Sequence, residues 1–194
     1  DFFNIGHTST SVSLASGFAK GRDLLGQKSN VIAIIGDGSL SGGEAFEGFN
    51  TAATLKSNMI IIVNDNDQSI AENHGGMYEG IRQLRETNGQ YEHNFFKAMG
   101  LDYRFIKDGN DIPSLVKAFQ EVKDIDHPIV LHIQTQKGKG YALAEKPENR
   151  EAWHYTGPFD VETGAPKGQW DPGYNGLILE QLTKAMEEDP SVVV

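Results

Sequence analysis

An α/β fold is what this sequence predicts, specifically a three-layer sandwich around a mostly parallel central sheet. Three observations carry the prediction. Val31–Ile35 and Met59–Val63 are short, nearly all-apolar runs rich in β-branched residues, the pattern of strands buried on both faces of a parallel sheet. Gly42–Thr54 lies between them and has the length and small-residue composition of a crossover helix, which parallel strands require. Each strand ends in a polar cluster, Gly36-Asp37-Gly38 after the first and Asn64-Asp65-Asn66 after the second.

The remaining elements follow in chain order. Gly6-His7-Thr8-Ser9-Thr10-Ser11 is rich in N-cap candidates for a small-residue helix over Val12–Leu25. Ala15, Ser16, Gly17 and Ala19 leave that helix open to close approach by a neighbour. Gly26–Asn30 is the turn into the first strand. Glu44 and Glu47 sit on the crossover helix. Glu47 reads as a position facing solvent or a neighbouring domain ahead of a catalytic acid, and Phe46 and Phe49 as core or interface. Ala71–Gly76 is a loop with an exposed His74, and Met77–Thr87 is a helix. A short helix at Phe95–Met99 precedes a strand at Leu101–Ile106. Asp111 is placed to cap a helix over Ile112–Lys123, whose Leu115, Val116, Phe119 and Val122 recur at helical spacing and should face the sheet. Ile129–Thr135 is the next buried strand, and His132 inside it reads as a satisfied core histidine. Asp160–Gly173 has no periodicity and suits a linker. Asn175–Glu187 is a helix with Leu177, Ile178, Leu182 and Met186 on an apolar side, and Val192–Val194 reads as a strand cut short.

The two polar clusters carry the chemistry. Both predicted strands end on the same edge of a parallel sheet, the edge where open α/β sheets bind ligands. Asp37 and Asn66 should therefore lie side by side. A carboxylate and an amide oxygen are hard ligands that suit Mg²⁺, with water and phosphate oxygens completing an octahedron. Gly36 and Gly38 allow the backbone to approach a phosphate closely, and the following helix can aim free N–H groups at it. Either tripeptide alone is ordinary turn chemistry. The two together, each ending an apolar strand, are not.

GDG, 25 further residues and then NDN resemble the thiamine-diphosphate motif. With GHTSTS at Gly6–Ser11, KGKGY at Lys137–Tyr141 and WHYTGPF at Trp153–Phe159, the chain from about Phe3 to Gly164 resembles the N-terminal, diphosphate-binding domain of 1-deoxy-D-xylulose-5-phosphate synthases, relatives of transketolase. The resemblance implies a thiamine-diphosphate-binding fold with thiamine diphosphate and Mg²⁺ as cofactors. It implies Asp37, Asn66 and the backbone carbonyl of Gln68 as metal ligands, with Asp65 shaping the turn. It implies cofactor contacts from Gly6, His7, Thr8, Gly38, Ser39, Asn66 and Tyr141. His7 and His154 become catalytic candidates facing substrate. The alternatives from the residues alone are a hydrogen-bonded His beside a capped helix at His7, a flexible basic loop at 137–141 and a packed aromatic loop around His154. Typical members carry a longer segment between the metal loop and the next strand than Asn88–Asn94 here, near the active-site mouth, which bears on the acceptor substrate.

The implied reaction joins a two-carbon unit from pyruvate, with decarboxylation, to glyceraldehyde 3-phosphate, a step toward isoprenoid precursors. A transketolase-type ketol transferase and a non-catalytic phosphate-binding module are the competing readings. The domain reading is 1–159 for diphosphate and metal, 160–174 as linker, and 175–194 as the start of a pyrimidine-binding domain. The resemblance also requires a Glu on the pyrimidine ring from that second domain, and no residue here matches it. The expectation is a fragment of a longer chain, inactive alone, whose intact form is a cytoplasmic homodimer. Composition agrees with a globular protein: 38% hydrophobic and 23% charged residues among 194. A net charge of −10 argues against nucleic acid. No run is long enough to span a membrane. With no cysteine there is no thiol chemistry and no disulfide.

Overall fold

The computed structural model describes residues 5–168 and 173–193. The chain divides into two compact units, 1–154 and 155–194.

In the first unit, helix α1 (Ser11–Leu24) leads to strand β1 (Ile32–Gly36). A 3₁₀ turn over Asp37–Ser41 enters helix α2 (Gly43–Ala52), and strand β2 (Met59–Asp65) follows. Then come α3 (Gly76–Glu86), the short α4 (Phe95–Ala98), β3 (Asp102–Ile106), α5 (Ile112–Val122), β4 (Pro128–Gln134) and the short α6 (Ala142–Glu145). The sheet order is β1-β2-β4-β3, and every pairing is parallel. The register sets Ile32 opposite Ile60 and Gly36 opposite Asn64. This is the predicted α/β sandwich.

Alternation along the strands splits the core in two. Ala33, Ile35, Met59, Ile61, Val63 and Val130 pack with Val12, Phe49, Ile81, Leu84 and Phe96 from α1 to α4. Ile60, Ile62, Ile129, Leu131 and Ile133 pack with Ala118 and Val122 of α5. Each buried aliphatic side chain contributes about 1.5–3 kcal/mol. Burial on both faces holds for β2 and β4 but not for β1, where Ile32 is 54% and Ile34 63% exposed. By register these two share the α5 face, but β1 is the edge strand farthest from β3. Among the described residues, the core on that face draws its helical side chains from α5.

Local expectations fare unevenly. Asp111 does cap α5, its side chain accepting from the Ser114 N–H at 2.9 Å. On that helix Val116 is 48% exposed, and Ala118 takes the inward position instead. Thr10 occupies the N-cap position of α1 without a side-chain capping bond; its hydroxyl donates to the His7 carbonyl. Glu47 and His74 are exposed, and Phe49 is buried. In the second unit, Asp160 organises a turn by accepting from the backbones of Glu162 and Thr163, and Phe159 bridges Pro166. Helix α7 (Gly173–Glu188) buries none of its residues, so the apolar side expected there is uncovered. No strand forms at 192–193, and Val194 lies outside the described residues. A strand needs a partner for its backbone groups, and Val193 is 82% exposed.

Candidate functional site

The C-terminal edge of β1 and β2 brings the two polar clusters together. Asp37 follows β1 and is 2% exposed. Its Oδ2 accepts from the Gln68 N–H at 2.8 Å and from Asn73 Nδ2 at 2.7 Å, and a further backbone hydrogen bond comes from Asn66. Burial, and then the negative charge of Asp65, push the Asp37 carboxyl above its usual range, against the pull of those hydrogen bonds. A cation beside it would offset that cost.

Two buried side-chain oxygens here, Asn66 Oδ1 and Gln68 Oε1, have no hydrogen-bond partner. Unpaired buried acceptors cost free energy and are the atoms a hard cation would satisfy. The donor set fits Mg²⁺ in kind: a carboxylate, an amide oxygen and loop carbonyls. No group of three His, Cys, Asp or Glu side chains suited to a metal occurs among the described residues, so any metal here relies on the amide and backbone oxygens.

Close packing makes this loop specific. A Cβ on Gly38 would lie 2.7 Å from Ser69 Cβ and 3.0 Å from Ser69 Cα. Only glycine lets the first polar loop pass this near the second. Tyr78 of α3 reaches over to the carbonyls of Asp37 and Gly38, 3.2 Å from each. The Gly6–Ser11 segment is tied to the same place. Ser9 Oγ donates to the Ser39 carbonyl at 2.8 Å, and a Cβ on Gly42 would fall 2.1 Å from that hydroxyl oxygen. Gly6, His7 and Thr8 are exposed beside this tether.

The third segment arrives through Lys137. Its Nζ donates to the Ser69 carbonyl at 2.5 Å and lies 3.1 Å from His154 Nδ1. Burial lowers the Lys137 pKa, Asp37 opposes that fall, and Arg150 adds to it. His154 therefore meets a lysine. Trp153 packs edge-on to Tyr141, with ring centroids 5.0 Å apart.

Asp65 shapes the turn, as read from the sequence. It accepts from the Asp67 N–H at 3.0 Å, from Arg85 Nη1 at 2.9 Å and from His132 Nε2 at 2.7 Å. Burial alone would raise its pKa. The hydrogen bond and charge of His132, with Arg85, overrule that and hold it below the usual range. His132 is fully buried and also bonded to Tyr103, the satisfied core histidine expected.

Sequence reasoning missed Asn73, Tyr78 and Arg85. None lies in a motif, and each reaches the site only through folding. Lys137 had a signal, the first position of KGKGY. A cleft of about 790 Å³ lined by side chains including Ser13, Lys20, Glu47 and Thr51 holds none of these residues.

The family described as 1-deoxy-D-xylulose-5-phosphate synthase matches residues 1–94 and 85–135. The two matched pieces overlap at 85–94, around the short connection between α3 and α4. The chain is 34% identical to 1-deoxy-D-xylulose-5-phosphate synthase 1 of Geobacter metallireducens, over all of this chain and 37% of that protein. It is 36% identical to the synthase of Chlorobaculum tepidum, over 99% of this chain and 36% of that one. For the synthase of Listeria monocytogenes the figures are 37%, 100% and 33%. The Geobacter alignment runs to 233 residues and the Listeria one to 201, so relatives differ in how much they add to this chain's length. The chain spans about a third of the length of these curated relatives. It belongs to the 1-deoxy-D-xylulose-5-phosphate synthase family.

Proposed function

We propose that this chain supplies the diphosphate- and metal-binding domain of a thiamine-diphosphate-dependent transferase. The reaction joins pyruvate, with loss of CO₂, to glyceraldehyde 3-phosphate, giving 1-deoxy-D-xylulose 5-phosphate. The observation that carries the reading is the buried Asp37 carboxylate with the unpaired side-chain oxygen of Asn66 at one sheet edge. Membership of the family supports it, and the relatives bear the synthase name.

In this reading Asp37, Asn66 and the Gln68 carbonyl hold Mg²⁺, and the ion meets the cofactor's diphosphate. Gly38 and Ser39 offer backbone close to the phosphates, as do Gly6 and Thr8 from the segment Ser9 ties down. Tyr141, packed on Trp153, lines the cofactor. When bound, the thiazolium ring supplies an electron sink for cleavage beside a carbonyl. His7 and His154 orient substrate oxygens or exchange protons with them, since imidazole titrates near neutral pH. Lys137, which touches His154 and lies within electrostatic reach of Asp37, adds positive charge where phosphate and carboxylate gather. Residues 175–194 are the start of the pyrimidine-binding domain, and the working protein is a cytoplasmic homodimer. No helix among the described residues is long and apolar enough to cross a membrane.

Calorimetry of the intact protein with Mg²⁺ and thiamine diphosphate tests the site. Saturable binding that needs both components is expected. Asp37→Ala should weaken it by more than about 100-fold, beyond the 10–100-fold usual for partners outside the metal's own shell. Absent binding, or wild-type affinity in the variant, overturns the reading. CO₂ release from pyruvate in the presence of glyceraldehyde 3-phosphate tests the substrates.

A further inference from the structure

Asn66 sits between two residues gripped by a single side chain. Arg85, on the last turn of α3, has a side chain only 10% exposed. Its Nη1 donates to both carboxylate oxygens of Asp65 at 2.9 Å, and its Nη2 donates to Asp67 Oδ1. Asp65 precedes Asn66 and Asp67 follows it. The planar guanidinium suits this task because its donors leave in fixed directions.

The grip holds a backbone that would otherwise relax. Asp67 has φ +62°, in the left-handed region, which residues other than glycine, asparagine and aspartate seldom enter. Its N–H donates to Asp65 Oδ1, closing a local turn. The next N–H, from Gln68, donates to Asp37 Oδ2. A fixed Asp67 thus hands the chain directly to the other polar cluster.

The far side of Asp65 is held from the sheet. His132 Nε2 meets Asp65 Oδ2 at 2.7 Å, and His132 Nδ1 meets the Tyr103 hydroxyl at 2.7 Å. Asp65 only accepts, so Nε2 carries a proton toward it. Burial and the charge of Asp65 push the Tyr103 pKa up, keeping the phenol protonated. The chain Tyr103–His132–Asp65 crosses from β3 through β4 to β2.

We infer that Arg85 is a positioning residue of the metal loop: it never touches the cation, but by clamping Asp65 and Asp67 it sets where the Asn66 side chain and the Gln68 backbone stand. Tyr103 and His132 brace the same carboxylate from behind. This rests on the metal reading given above.

The test uses the intact protein with three variants. Arg85→Met removes the clamp. Arg85→Lys keeps a charge that can meet one carboxylate. Tyr103→Phe removes only the outer hydroxyl. Mn²⁺ binding in the presence of thiamine diphosphate is followed by electron paramagnetic resonance of the free ion. Hydrogen exchange of the Asn66–Gln68 amides is measured without ligand. Arg85→Met should weaken Mn²⁺ binding about 10–100-fold and speed Gln68 exchange. Arg85→Lys should recover part of both, and Tyr103→Phe should lose less than about 10-fold, the low end of that range. A folded Arg85→Met with wild-type Mn²⁺ affinity and unchanged exchange overturns the clamp. If Arg85→Met does not fold, wild-type behaviour of both other variants overturns it. If the wild type binds no Mn²⁺, the metal reading fails, and the exchange data still decide whether Arg85 holds the loop.

Discussion

The two ends of the sheet are both densely polar, yet they solve different problems. At the end where the strands begin, Arg22 is buried and its guanidinium reaches the carbonyls of Ser29 and Asn58, the Ser57 hydroxyl and Asp23. Asn30 and Asp124 bond each other twice, and His127 lies between Asp102 and Asp126. Among the described residues, the unpaired buried atom at this end is a donor, Asn58 Nδ2. At the end where the strands finish, the unpaired atoms beside Asp37 are acceptors, Asn66 Oδ1 and Gln68 Oε1. The sign of the unmet group is the lesson. Paired networks tie loops together, while unpaired buried acceptors on the loop whose backbone bonds a buried carboxylate invite a cation.

Three measurements sharpen or break this contrast. The largest effect is expected from Asn66→Leu. Replacing an unpaired acceptor with an apolar group of similar size is close to neutral for stability, so the melting temperature without metal should hold or rise slightly. Calorimetry should at the same time show affinity for Mg²⁺ and thiamine diphosphate falling more than about 100-fold, again past the range for outer partners. A large drop in stability instead would make Asn66 a structural residue like those at the opposite end.

Arg22→Met comes next and should do the reverse. It strands two backbone carbonyls, so denaturant unfolding should show a loss of about 1–3 kcal/mol, with cofactor affinity in the surviving folded protein unchanged. Altered affinity would mean the two ends communicate.

The smallest effect is at His127. Its hydrogen bond to Asp126, opposed by slight burial and helped by Asp102, raises its pKa above the unfolded value of about 6.5. The sign follows from that direction. The stabilisation is complete below the unfolded pKa and is lost as pH rises through the higher folded one. The side chain is 47% exposed, so screening keeps the contribution under about 1 kcal/mol. His127→Gln should lower the melting temperature in mildly acidic buffer and leave it unchanged in alkaline buffer. An equal effect at both would show that the proton plays no part.

Much of this was legible without coordinates. Each predicted strand and helix up to Gln134 forms within a residue or two, because periodicity and turn chemistry are local to the chain. The pairing of Asp37 with Asn66 was legible as well, since two parallel strands joined by a helix must end on one edge. The exposure of Ile32 and Ile34 was not, because it depends on β1 being an edge strand, and no property of those five residues encodes sheet order.

What the amino-acid order determined by itself is the alternation of elements and the placement of two polar tripeptides after apolar strands. What the tertiary structure alone decided is which distant side chains complete them: Asn73 on Asp37, Lys137 between Ser69 and His154, Arg85 across Asp65 and Asp67. The physical reason is range. Backbone preference acts over a few residues, whereas a hydrogen bond between residues 20 or 71 positions apart exists only once helices and sheet have packed.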